Sequence, residues 1–395
     1  MSTAAPTPRQ HATLIGSMGC NQILAWGSTF YLPAVLAEPV SHSLNTSVPA
    51  VVGALSWSLL VAGICAPVVG RTIDKHGGKW VLASSSLLLA LGLITMSFAS
   101  GLFVYYIAWT VLGLGMAAGL YDAGFATLGR LMGARARSSM TGLTLIAGFA
   151  STVAWPFLAS MDASHGWQTT CRVLALIHLA VGLPLHLLTV PLPTPRATES
   201  AKIAKASYAP ADPRLAWIAL LFTLHAFVMS ALAVNLIALL RSHEISAAMA
   251  VTLGALMGPS QVVARLLEYA FGRSAHPVWI ARLGILACIV GLLALGPGMV
   301  TLSLIAVITF GGGNGIMTIA RGTVPLTLFG STNLGMHLGL IARPVLVAQA
   351  VAPMACAYIL VQLGSNWLIW IMAGILGIGA LVAFTKLRAF TPSLA

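Results

Sequence analysis

Twelve stretches of roughly twenty or more mostly apolar residues follow one another along this chain, and that pattern leaves few folds open. Wound as a helix, a run of that length matches the hydrocarbon thickness of a bilayer. The runs lie near 12–37, 48–70, 80–99, 102–128, 139–160 and 169–190, then 214–240, 247–271, 278–296, 300–324, 336–362 and 365–385. Only 7% of the 395 residues are charged, against 58% hydrophobic, and the mean hydropathy is +0.94. A water-facing surface usually needs about 25% charged residues, so the exterior has to meet lipid. The 39 glycines and 20 prolines fit the same solvent. Small residues let membrane helices approach closely, and neighbouring helices satisfy the backbone groups that proline frees.

The apolar stretch that follows residues 1–11 is too long for the core of a cleaved signal peptide, so it reads as a retained first span. The longest hydrophilic segment, 191–213, falls at the middle and carries Arg196, Glu199, Lys202, Lys205 and Asp212. Six spans, a linker and six more spans predict an all-α polytopic membrane protein with twelve transmembrane helices in two six-helix bundles. The bundles cover 1–190 and 214–395, with 191–213 as a cytoplasmic linker.

The net charge of +12 is a topology signal rather than a nucleic-acid footprint, because the basic residues sit in short loops and form no basic helix. With twelve spans, one side holds both tails, the linker and alternate loops. That side takes fifteen of the 20 lysines and arginines, among them Arg71, Lys75, Lys79, Arg130, Arg135 and Arg137. Arg172 and Arg241 fall opposite, and Arg265, Arg321 and Arg343 fall inside spans. This bias predicts both termini in the cytoplasm, as in a bacterial inner membrane. The five cysteines form no CxxC pair and no zinc-like cluster, and read as small buried hydrophobes.

Between spans 2 and 3 the chain reads Gly70-Arg71-Thr72-Ile73-Asp74-Lys75-His76-Gly77-Gly78-Lys79. This resembles the loop signature of the major facilitator superfamily, G-x-x-x-D-[RK]-x-G-x-[RK], at the expected cytoplasmic end of the second span. The resemblance covers essentially the whole chain. It implies a secondary active transporter that moves a small solute by alternating access, with no cofactor. It also implies that Gly70, Asp74, Lys75, Gly77 and Lys79 form a latch closing against span 11. In physical terms, glycine permits the tight turn and Asp74 can face the positive end of a neighbouring helix. Faint internal echoes accompany the motif: Gly53-Ala54-Leu55 and Gly254-Ala255-Leu256, and glycine-rich spans 4 and 10.

The span-4 arginine of proton-coupled members is absent near Trp109, and Gly142, Gly148 and Pro156 are only fragments of the drug-antiporter signature. Span 8 resembles the monocarboxylate porter branch, whose helix carries G-x-x-D-x-x-x-R. Here Gly258-Pro259-Ser260-Gln261 runs on to Arg265, so the arginine is kept and the aspartate is replaced by Gln261. That branch's span-1 lysine is also missing, since Leu32-Pro33 is followed by Ala34. A second resemblance, to bacterial exporters of trivalent arsenicals, rests on Gly148-Phe149-Ala150-Ser151-Thr152 and on Gly313-Asn314-Gly315 leading to Arg321-Gly322.

Ionisable groups inside a membrane are costly and therefore functional candidates. Asp122, late in span 4, and Arg321, late in span 10, occupy nearly equivalent places in the two halves. They form either a gate or a static ion pair, with Arg265 and Arg343 as possible intermediaries. Arg265 either binds an anion with its fork or pairs with Glu268 three residues on. His225, about 16 Å into span 7, is either a proton carrier or a hydrogen-bonded structural histidine. His178 and His186 on span 6 read as structural. Asn21, Gln22, Tyr31, Tyr121, Asn314 and Gln349 line a polar path or hold helices together.

The partners predicted are a small-molecule solute, the lipid bilayer and a coupling proton or ion, with a small organic anion such as a monocarboxylate as first choice. A detoxifying exporter of a drug-like compound or arsenite-type metalloid is the alternative, with Cys20, Cys65 or Cys356 as soft ligands. No catalytic or resident metal site is expected, and the absence of a GxxxxGK[ST] loop leaves ATP-driven pumping without support.

Overall fold

The computed structural model of the protein describes residues 8–192, 212–272 and 275–387; most of the 191–213 linker, Arg273 and Arg388 lie outside them. The described residues form helices joined by short turns. Nine helical stretches are long and apolar enough to cross a membrane, and one of them, Ala136–Thr189, is 54 residues long. That stretch is two spans, because Gly166 at φ 78° reverses the chain within it. Pro277–Leu293 supplies a shorter apolar span of 17 residues. Span 1 is the twelfth, interrupted at its centre: Pro8–Gly27 is followed by Pro33–Ser43.

The interruptions are where the chain departs from twelve continuous rods. In span 1, Pro33 cannot donate an N–H, and its ring crowds the carbonyl four residues back. Residues 28–32 therefore leave the helix, with the Thr29 hydroxyl donating to Ala25 O at 2.6 Å. Span 4 breaks at Leu120, extended at φ −80° and ψ −170°, between Leu102–Gly119 and Tyr121–Met132. The Gln22 side chain donates to Gly119 O at 2.6 Å there, so a backbone acceptor at the break is not left bare. Span 5 changes segment at Gly148, and span 8 at Leu256, between Ala247–Ala255 and Met257–Phe271. Spans 7, 10 and 11 each run thirty residues without a break (Pro213–Ser242, Val300–Phe329, Leu334–Leu363).

Packing follows the order of the chain. One apolar cluster draws its buried residues wholly from spans 7–12, and a second from spans 1–6 with Ala350 added. A third joins spans 1–6 to Leu326, Leu334 and Leu338. The two halves meet most closely where span 2, Val48–His76, crosses span 11. A Cβ placed on Gly70 would collide with Gly335 O, and one on Gly339 with Ala66 O, so only glycine lets these backbones touch. Gly70→Val is therefore expected to keep the halves apart at this end. The measurement is alkylation of a cysteine introduced at Ala66, which should react several times faster in that variant. An unchanged rate would disprove the close-approach account.

Candidate functional site

Contacts between the halves concentrate at the ends of the spans that carry most of the basic loops, here called the basic side. Asp74, near the end of span 2, accepts from the backbone N–H of Gly335 at 2.8 Å and of Met336 at 2.7 Å. These are orphan donors of the first turn of span 11, where the helix dipole favours an anion. Gly77, at φ 82°, ends span 2 in a conformation that side chains rarely adopt. Lys75 is exposed and Lys79 half-buried on the same turn.

Two further cross-half ties flank that contact. Arg321 Nη2 donates to Asp122 Oδ2 at 2.7 Å, joining spans 10 and 4. The break at Leu120 places Asp122 in the first turn of a new helix, where its charge is favoured. Arg137, at the start of span 5, donates to Glu268 at 3.0 Å and to Gly272 O and Ala275 O at 2.7 Å each. Thr141 reaches the other Glu268 oxygen at 3.3 Å. Glu268 is thus committed to Arg137 across the halves, and the pairing with Arg265 considered from the sequence is not the one the structure makes.

Behind these ties lies a cavity between the halves, lined by span 1, the breaks of spans 4, 5 and 8, and spans 7, 10 and 11. Of the residues singled out by sequence, Arg265, Gln261, Tyr31, Tyr121, His225, Asn314, Gln349 and Arg321 all line it. A second, smaller cavity shares Trp26, Tyr121, Arg321 and Gln349 with it. That cavity continues past Asp122 to Gly70 and Gly335 at the crossing of spans 2 and 11. The segments on the far side of the cavity, Pro33–Ser43 and Ala247–Ala255, pack chiefly within their own halves. The site is closed at the basic side.

Arg265 is 4% exposed. It donates to Thr144 O at 2.8 Å, to Gln261 Oε1 at 3.3 Å and to Gly315 O at 3.4 Å, all neutral acceptors. Gly148 makes room for it, since a Cβ there would come 2.9 Å from its Nη1. A guanidinium has five N–H donors, so donor capacity remains for the cavity and for the adjacent Tyr121 hydroxyl. Among the described residues, Asp122 Oδ1, Arg321 Nε and His225 Nε2 are buried without a hydrogen-bond partner.

Three named residues are not brought to the cavity; one of them, Gln22, instead donates to Gly119 O and accepts from Trp26 Nε1. Asn21 is buried, bonded to Ser17 O at 3.3 Å and packed towards Gly182 of span 6. Arg343 is exposed on the outward stripe of span 11 with Val347, Val351 and Met354, because 3.6-residue periodicity turns that position away from the interior. His178 and His186 bond to Ser28 at 2.8 Å and Ser86 at 3.1 Å, holding spans 1 and 3 to span 6. Sequence reasoning missed Trp26, Phe30, Phe125 and Phe222 as cavity residues, and Arg137–Glu268 as a cross-half tie. The proline after Phe30-Tyr31-Leu32 was the one signal that Phe30 leaves the helix, whereas Trp26, Phe125 and Phe222 stay within theirs.

A midplane cavity between two sets of six spans, walled by interrupted helices and shut at one end by ionic ties, defines a secondary transporter. The chain belongs to the Major Facilitator Superfamily, whose family profile matches residues 18–342. No curated protein sequence matches it. The fold is similar to that of the human organic anion transporter MFSD10 (TETRAN), with a TM-score of 0.76, 14% identity, and coverage of 96% of this chain and 100% of that one. It is also similar to the proton:xylose symporter XylE bound to 6-bromo-6-deoxy-D-glucose, with a TM-score of 0.75, 12% identity, and coverage of 96% and 95%. The protein is an integral membrane protein for secondary transport of a small-molecule solute, a transporter rather than an enzyme.

Proposed function

We propose that the solute is a small organic anion, bound at Arg265 and exchanged between the two sides of the membrane as residues 1–190 rock against residues 214–395 about the cavity. One observation carries this reading: Arg265 is a buried cation whose hydrogen bonds go to neutral acceptors, while Arg321 already has Asp122. A buried unpaired charge is costly, and an entering carboxylate would relieve that cost through charge-assisted bonds. Gln261, Tyr31, Tyr121 and Asn314 supply neutral hydrogen-bonding groups around it. That MFSD10 is an organic anion transporter agrees with this reading. Among the described residues no cysteine lines the cavity, so no thiol is placed there to hold a trivalent metalloid.

In this reading Asp122–Arg321, Arg137–Glu268 and the Asp74 turn are the gate of the basic side, which faces the cytoplasm of a bacterial inner membrane with both tails. Arg343 anchors the outer face of span 11 and takes no part in the gate. The coupling proton or ion is taken near His225 and Asp122, whose unpartnered atoms face the same cavities.

The test is counterflow in proteoliposomes, loading vesicles with an unlabelled carboxylate and following uptake of the labelled one without ATP. Saturable exchange of carboxylates is expected. Exchange confined to neutral or cationic compounds would reject the anion reading. Orientation is checked separately with single cysteines at Thr3 and Pro392. Both are expected to react with an impermeant maleimide only after the cells are opened; reaction of either in intact cells would overturn the assigned topology.

A further inference from the structure

The cavity is not chemically uniform, and its asymmetry coincides with the boundary between the halves. The wall from spans 1 and 4 is aromatic, formed by Trp26, Phe30, Tyr31, Tyr121 and Phe125. The rings make a continuous surface. Trp26 lies 5.2 Å from Tyr121 and 5.5 Å from Phe30, and Tyr121 stacks on Phe125 at 5.5 Å with 13° between planes. Tyr31 extends the surface to Trp155, 5.8 Å away and edge-on. The Trp26 ring is held in place by its Nε1, which donates to Gln22 Oε1 at 3.0 Å. The facing wall, from spans 7, 8, 10 and 11, carries most of the polar groups, Arg265, Gln261, His225, Asn314 and Gln349 among them, with Phe222 as its single phenyl ring.

Building on the anion reading, we infer that the substrate is a monoanionic carboxylate bearing an aromatic ring, the ring seated on the Trp26–Tyr121 wall and the carboxylate on Arg265. The charge follows from the pairing already described. Asp122 offsets Arg321, which among the described residues leaves Arg265 as the one uncompensated cation lining the cavity and selects one negative charge. The size follows from the lining: five rings on one wall present a surface that an aromatic group covers, and a two- or three-carbon acid would leave most of it facing water. Such a molecule touches both halves at once, so its binding draws the two walls together, as rocking about a midplane site requires.

The probes are phenylacetate, propionate and benzyl alcohol, titrated by calorimetry into detergent-purified protein of wild type, Trp26→Leu, Phe30→Leu and Arg265→Gln. Ring contacts of this kind are each worth about two- to tenfold in affinity. Phenylacetate is therefore expected to bind at least about tenfold more tightly than propionate. Trp26→Leu and Phe30→Leu are each expected to erode that preference while leaving propionate unaffected. Equal affinity for the two acids, unchanged in both ring variants and lost in Arg265→Gln, would overturn the aromatic assignment and leave the anion reading standing. Benzyl alcohol binding as tightly as phenylacetate and indifferent to Arg265→Gln would sink both. Failure of all three probes to bind wild type would also sink both.

Discussion

Arg321→Met, with Asp122 left in place, is expected to abolish transport, with a loss of about a hundredfold or more. The pair bridges spans 4 and 10 at 2.7 Å with both side chains about one-fifth exposed. Removing one partner strands a carboxylate in a low-dielectric setting, a change worth about 3–5 kcal/mol. Its structural effect is directional. In the proposed gate the pair forms when the basic side is shut, so its loss is expected to shift the population towards the state open on that side. Removing both charges, as Asp122→Asn with Arg321→Gln, spares the stranded charge and is expected to keep folding and ligand binding. Its cavity should nevertheless be more reactive from the basic side, read by alkylation of a cysteine at Ala66. The exchanged pair, Asp122→Arg with Arg321→Asp, is expected to recover part of the transport. Normal rates in Arg321→Met at every pH would show that the bridge is only structural glue.

Arg265→Gln is expected to lower kcat/KM for carboxylates by about thirtyfold to several thousandfold, the range set by truncating one partner of a buried charge pair, about 2–5 kcal/mol. Arg265 has two tasks that the kinetics can separate. Its fork meets the cavity, and its Nη1 donates across the halves to Thr144 O at 2.8 Å. Arg265→Lys keeps the charge and loses the planar fork. If the carboxylate is held by the fork, Lys raises KM more than it lowers kcat. If the residue served only to hold spans 8 and 5 together, kcat would fall with KM unmoved, and the binding role would be refuted.

The twelve spans were legible because length and hydropathy are properties of a segment, and lipid enforces them on every segment alike. The Asp74 contact was legible for a related reason: an acid between glycines at a helix end has few physical uses. Asp122 and Arg321 could be paired from their matching places in the two halves. The aromatic wall was read only at Tyr31 and Tyr121. Phe30 looks like an ordinary member of an apolar run until Pro33 breaks the run. The Leu120 break left even less trace, since it depends on Gln22 of another span caring for Gly119 O. For Glu268 the sequence offered Arg265, three residues away, as one of two alternatives, whereas its partner, Arg137, lies 131 positions away. Arg343 shows the converse, an intramembrane charge that periodicity alone would have placed on the outer stripe.

The glycine crossing of spans 2 and 11 has a consequence for the working cycle. At Gly70–Gly335 and Gly339–Ala66 the backbones meet with almost no side chain between them, and lipid supplies no hydrophobic push to hold them. Shutting this end therefore rests on close packing, with Leu326, Leu334 and Leu338 against the other half, and on a few charged fasteners. Of these only the charged fasteners answer to a proton, an ion or a bound acid, which suits a machine that must part and rejoin this seam on every turnover.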